Sequence, residues 1–398
     1  MSHHPVTSMT TRRQFLKSAA AVGAITVSPH LTFAQTAGDA RFVLVVLRGA
    51  LDGLALAPPV GDPAYAGVRQ MLTFAKPGQE GGALKLDSLF ALNPAMPNVH
   101  RMFNNNDALV VHAVASPYRA RSHFDGQDVL ESGAAKSLSA RDGWLNRALA
   151  LAAPSQSSIA LAHTVPLVLR GDQSVGSWSP SRLPDANEDT MRRLANLYAD
   201  DPFFASQLEE AMATRAIAGK ERKRGRGGNP FAETMKKAAA FLTAPNGARI
   251  AVTDVDGWDT HANQGLTNGN LANRLRRLDE GLSELQKGLG KHWNDTVVAV
   301  VTEFGRTVRP NGTRGTDHGT ATAALLLGGA VKGGRVIADW PGLRNADLYD
   351  GRDLAPTRDL RSVFKSVLVD HMGLDAAGVS RTVFPGSGQI RVESDWFA

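Results

Sequence analysis

Asp52, Ser122, His123, Asp259, His261, Glu303 and His318 each stand shortly after a long apolar run, or, for His318, just before one. Carboxylates and imidazoles without any cysteine suit hard or borderline divalent cations, so the cofactor expected here is Zn²⁺, Mn²⁺, Mg²⁺ or Ca²⁺. Two such ions about 4 Å apart could hold the attacking and leaving oxygens of an in-line displacement. A serine at a helix N-terminus between them would be activated as an alkoxide.

Each of these residues also has a plainer use. Asp52 before Gly53 could close a turn, and Ser122 could cap the helix that begins at His123, with Asp125 completing a capping-box-like pattern. Asp259 and His261, two residues apart, point the same way in an extended loop, which favours a shared ion. Glu303, followed by Gly305 and Arg306, could form an internal ion pair instead. His318, in the polar sequence Asp317-His318-Gly319, lacks the apolar surroundings of a structural imidazole.

What must position these groups is a sheet. Residues 41–47, 108–114, 248–253, 296–302 and 323–327 are apolar runs rich in Val, Ile and Leu without an alternation of two, as expected of strands covered on both faces. Between them, Leu275, Leu278, Leu282, Leu285 and Leu289 recur at helical spacing. Alternating buried strands and amphipathic helices predict an α/β fold with a mostly parallel central sheet flanked by helices, binding ligands at the carboxyl ends of its strands. Residues 134–230, rich in Ala, Ser and Pro, break the rhythm and are expected to form an inserted helical cap, ending in a flexible basic stretch at 220–228.

Location is readable at the start of the chain. Arg12-Arg13-Gln14-Phe15-Leu16-Lys17, an apolar run and a small-residue cleavage site at Ala34 make residues 1–34 a twin-arginine signal peptide, and residues 35–398 the mature domain. The expected partner is the twin-arginine translocation machinery, and the expected location is the periplasm or beyond. Without the signal, the 44 basic side chains fall by three to 41 against 38 acidic ones, so no nucleic-acid partner is expected. No later apolar run is long enough to remain as a membrane anchor.

Leu47-Arg48-Gly49-Ala50-Leu51-Asp52-Gly53, Arg121-Ser122-His123-Phe124, Gly257-Trp258-Asp259-Thr260-His261-Ala262-Asn263-Gln264, Thr302-Glu303-Phe304-Gly305-Arg306 and Asp317-His318-Gly319-Thr320-Ala321 follow the signal in an order that resembles the secreted bacterial family called domain of unknown function 1501. The resemblance runs from about Arg41 to the C-terminus, and the family looks like a branch of the alkaline phosphatase and sulfatase superfamily. It implies an alkaline-phosphatase-like fold in which Asp52, Asp259, His261, Glu303 and His318 hold one or two metals and Ser122 is the nucleophile. Arg121 or Arg306 would steady the non-bridging oxygens of a small-molecule or polymer ester of phosphate or sulfate. Three departures stand out. Glu303-Phe304 replaces the superfamily's usual Asp-His, leaving His123 to supply an imidazole. The short spacing of Asp259 and His261 makes Asp256 an alternative ligand. Ser116-Pro117-Tyr118-Arg119 lacks the residue between Ser and Pro that sulfatases have. The alternative expectation is a non-catalytic secreted binding protein that keeps the hydrolase fold.

Overall fold

Strands form where the apolar runs predict them. The computed structural model describes residues 39–152, 157–180, 188–219 and 228–398; the expected signal peptide and the basic run at 220–227 lie outside the described residues. Its main sheet contains β1 (Arg41–Arg48), β2 (Ala108–Ala115), β3 (Ser158–Leu161), β4 (Gly176–Trp178), β5 (Ile250–Asp256), β6 (Thr296–Thr302), β7 (Thr322–Leu327), β8 (Arg335–Ile337) and β9 (Arg358–Asp359). The order is β8-β2-β7-β6-β1-β5-β3-β4, with β9 also pairing to β2. Every pairing is parallel except those of β7, which runs antiparallel to both β2 and β6. That reversal brings the loop before β7 to the edge where β1, β5 and β6 end, and His318 arrives there from the opposite chain direction.

Burial on both faces explains the missing alternation. Val43, Val45 and Leu47 of β1 enter one core, and Phe42, Leu44 and Val46 the other. On the first face lie α1 (Pro97–Asn104), α6 (Pro230–Thr243) and α7 (Asn270–Leu289), whose leucines at helical spacing are all buried. Asn229 starts α6 by accepting from the backbone of Phe231 and Ala232, with Pro230 at the first helical position. On the second face, Trp144 of α3 (Trp144–Leu151) is fully buried and stacks 4.6 Å from Phe364 of α8 (Leu360–Ser366). The site helix, α2 (His123–Ser132), follows β2.

Residues 134–230 hold helices as expected, α3 and then α4 (Glu188–Tyr198) and α5 (Pro202–Ala218), but they also supply β3 and β4 to the sheet edge. Strands of three and four residues leave too short an apolar run to stand out in the sequence. Among the described residues, no helix is long and apolar enough to cross a membrane.

Candidate functional site

The register of the central strands sets three loops side by side: Leu47 pairs with Thr302, and Arg48 with Asp256. Gly49 then turns at φ 116°, and a Cβ there would lie 2.6 Å from the Asp259 nitrogen, so only glycine lets the two loops close on each other. Its amide donates to Glu303 Oε1 (2.8 Å), joining the end of β1 to that of β6. Past β6, Arg306 bridges His318 in antiparallel fashion, and Gly319 leaves room for the Arg306 backbone.

Three imidazoles converge on the Asp259 carboxylate. His261 Nε2 lies 3.0 Å and His318 Nε2 3.2 Å from Oδ1, and these two nitrogens are 3.0 Å apart; His123 Nε2 is 3.4 Å from Oδ2. The other nitrogen of each ring faces an oxygen acceptor: His123 Nδ1 meets Glu303 Oε1 (2.8 Å), His261 Nδ1 meets Asp317 Oδ1 (3.0 Å) and His318 Nδ1 meets the Arg121 carbonyl (2.9 Å). In the neutral rings these contacts favour the proton on Nδ1, which leaves three Nε2 lone pairs directed toward one carboxylate. Neutral rings so arranged are suited to a cation among them. A tetrahedral zinc with bonds of about 2.0–2.1 Å would set its ligands about 3.3 Å apart, close to these spacings. His123 Nε2 is moreover buried and has no hydrogen-bond partner. The residues thus fit a divalent metal, and His123, Asp259 and His318 form a group able to hold one.

Second contacts pin the ligands. Phe304 is buried and stacks on His123 with ring centres 5.1 Å apart. Arg306, also buried, donates to Asp259 Oδ1 (2.5 Å) and to the hydroxyl and carbonyl of Thr316. Burial works to raise the Asp259 carboxyl, but the Arg306 bond and charge outweigh it and hold the group below its usual range. Glu303 is likewise pulled down against its own burial, chiefly by His123. His123 is raised by its bond to Glu303, while burial lowers His318.

Of the residues expected to act together, His123, Asp259, His261 and His318 meet. Asp52 does not join them: it is buried, caps the helix Gly53–Leu56, and accepts from Arg69 (2.6 Å) and Gln264 (2.7 Å). Glu303 touches the cluster through His123 Nδ1, as an orienting acceptor. Asp256 stays exposed, its carbonyl engaged by Arg274. Ser122 precedes α2 in an extended conformation and makes no side-chain cap, so its hydroxyl is not consumed by the helix; its neighbours on either side, His123 and the Arg121 carbonyl, both contact the cluster. Arg121, at φ 63°, turns its guanidinium to Asp353 (2.9 Å) and Asp350 (3.0 Å), and both expected substrate-binding arginines thus meet carboxylates of the protein itself. Asp317 and Gln264 were not foreseen in the sequence as supports. Asp317 adjoins His318, which was a usable signal; Gln264, which also accepts from Thr260 and Thr316 (2.8 Å each), had none beyond its motif.

Residues 106–383, well over half the chain, match the model of the family described as Protein of unknown function (DUF1501). The chain belongs to this family. The match begins after β1, so Asp52 lies outside it. No curated protein sequence matches this family member. Among solved structures, it is similar to the C-terminal periplasmic domain of EcEptC from Escherichia coli in complex with Zn, at 12% identity over 92% of this chain and 93% of that one, with a TM-score of 0.38. It is similar to the PsFucS1 sulfatase from Pseudoalteromonas sp. at 13% identity, 85% and 68% coverage and a TM-score of 0.38. The phosphonate monoester hydrolase of Agrobacterium radiobacter matches at 11%, 84% and 74%, and 0.33. At TM-scores this low the likenesses carry no chemistry across, which has to come from the cluster itself.

Proposed function

We propose that this protein is an exported, metal-dependent hydrolase of phosphate or sulfate esters, with one divalent ion held by His123, Asp259, His261 and His318. One observation supports the reading above all: three imidazoles, each with its Nδ1 proton committed to an oxygen, turn their Nε2 lone pairs on a single carboxylate. Three nitrogens to one oxygen favour zinc or a similar borderline ion over Mg²⁺ and Ca²⁺, which prefer all-oxygen shells. When bound, the ion supplies a Lewis acid that lowers the pKa of a hydroxyl or water beside it.

The chain's own residues do the rest. Ser122 Oγ, free of capping duty at the first turn of α2, attacks phosphorus or sulfur; the new Oγ bond forms as the bond to the alcohol oxygen breaks, and the alcohol leaves with a proton. The helix amides of α2 face the negative oxygens. Water then cleaves the serine ester, releasing phosphate or sulfate and restoring the hydroxyl. Export through the twin-arginine route, which carries folded proteins, would let the ion be loaded beforehand.

A second reading is favoured by Asp52, whose engagement with Arg69 leaves the cluster one ion rather than two: water attacks, and Ser122 only begins the helix. Metal analysis with aryl phosphate and sulfate turnover separates the two. We expect one equivalent of metal, lost in His261→Ala. Ser122→Ala should keep the metal and lose turnover by a factor of about 10³ or more; retained turnover would select water as the nucleophile.

A further inference from the structure

We infer that Asp52, Gln264 and Thr316 form a buried hydrogen-bond chain of fixed polarity that aims Arg306 at Asp259, which makes Gln264 a positioning residue for the metal cluster. The inference rests on the proposed metal site and deepens it. It also gives a use to two motif residues, Asp52 and Gln264, that do not touch the three imidazoles but do touch each other.

Each bond in the chain is set by the one before it. The Asp52 carboxylate can only accept, and its Oδ2 takes a bond from Arg69 (2.6 Å), so the Gln264 amide turns its Nε2 donor toward the same oxygen (2.7 Å). That leaves Gln264 Oε1 facing the hydroxyls of Thr260 and Thr316, 2.8 Å from each. An amide oxygen donates nothing, so each hydroxyl directs its single proton there. The Thr316 oxygen keeps only lone pairs, and it accepts from Arg306 Nε (3.1 Å). The Thr316 carbonyl accepts from Arg306 Nη2, and the remaining arm, Nη1, donates to Asp259 Oδ1 (2.5 Å). A reversed Gln264 amide would set a donor against both hydroxyls, turn the Thr316 proton toward Arg306 Nε–H and loosen the guanidinium. Asp52, Arg69, Thr260, Gln264, Arg306 and Thr316 are all buried, where a misdirected partner is costly.

The loop does not depend on this side chain for its path. The Gln264 amide donates to the Arg314 carbonyl (3.0 Å), and its carbonyl accepts from the Leu271 amide (3.0 Å). Gln264→Met therefore removes the polar link while both backbone bonds remain, and Thr316→Val removes the next hydroxyl at nearly constant shape. Thr260→Val removes the other hydroxyl on the same Gln264 oxygen, which makes no bond to Arg306, and is the control.

Two measurements on the full chain test this: zinc affinity by chelator competition, and the Arg306 Nε–H resonance of the metal-free ¹⁵N-labelled protein, identified by its absence in Arg306→Lys. Gln264→Met and Thr316→Val should each weaken zinc by about tenfold, as for an outer partner of a ligand. The double variant should lose no more than either alone, because the two act in series. The Nε–H resonance should move in both single variants, and in Thr260→Val affinity and resonance should match the wild type. Thr316→Val, which leaves the Asp52 to Gln264 bond in place, carries the test by itself if Gln264→Met fails to fold. Wild-type affinity in Thr316→Val, an equal loss in Thr260→Val, or losses that multiply in the double variant overturn the chain and leave the metal-site reading standing. A wild type that binds no zinc overturns both.

Discussion

Which atom of a cluster residue faces the other rings, and which faces a support, decides how the cluster works. Glu303 was expected as a ligand; its Oε1 instead receives the His123 Nδ1 proton, the Gly49 amide and the Gln127 amide, so the carboxylate orients an imidazole and raises its basicity. Such a partner tunes affinity rather than creating it. Glu303→Gln retains an acceptor oxygen but removes the charge, and should weaken metal binding by about 10–100-fold without emptying the site. Competition with a chelator of known affinity measures this, and complete loss of metal would return Glu303 to the ligand set. Asp52 behaves differently. Its carboxylate is matched by Arg69 in a buried pair, which compensates its charge within the protein.

At the scale of elements, the loops matter through how closely they approach. Gly49 ends β1 at φ 116° against the Asp259 backbone. Gly49→Ala should therefore cost about 1–3 kcal/mol of stability and, by pushing the Asp259 loop outward, lower metal content. Gly312, with no neighbour within 4 Å, provides the control: Gly312→Ala should change neither the denaturation midpoint nor the metal stoichiometry. Equal behaviour of the two variants would show that the close approach is unimportant. The five long strands were legible in the sequence because burial on both faces forces continuous apolar runs, and the site was legible as polar residues clustered at their ends. The short strands β3 and β4 were not, since three or four residues carry no pattern. Nor could spacing separate ligand from support: Glu303 meets His123 180 positions away, and Asp52 meets Gln264 across 212, through register that only the assembled sheet defines.

For the whole molecule, the response to acid depends on groups far from the cluster. His112, at a register shift in β2, is fully buried, with its ring 5.0 Å from Phe90 and 5.2 Å from Trp340. Its Nε2–H donates to the Ala57 carbonyl (3.0 Å) and its Nδ1 accepts from the Ala113 amide (2.8 Å), so a second proton would set two donors face to face. Burial accordingly pushes its pKa down to about 4, against about 6.5 in the unfolded chain. As pH falls below about 6.5 the unfolded state takes up the proton first, and stability drops until about pH 4, where the folded state binds it too. The full loss is about 3 kcal/mol. His371, lowered chiefly by burial, adds in the same sense. His123, raised chiefly by its bond to Glu303, acts oppositely: its contribution is present below about pH 6.5 and lost as pH rises through its folded value. Depressed carboxyls such as Asp259 and Glu303 withdraw their support only lower down, through their folded pKa values below the ordinary carboxylate range. The difference between wild type and His112→Gln, whose amide can still donate and accept, isolates one group from the others. Urea midpoints of the metal-free proteins between pH 7 and 4 should fall more steeply for the wild type, and parallel curves would show that His112 is charged in the folded state.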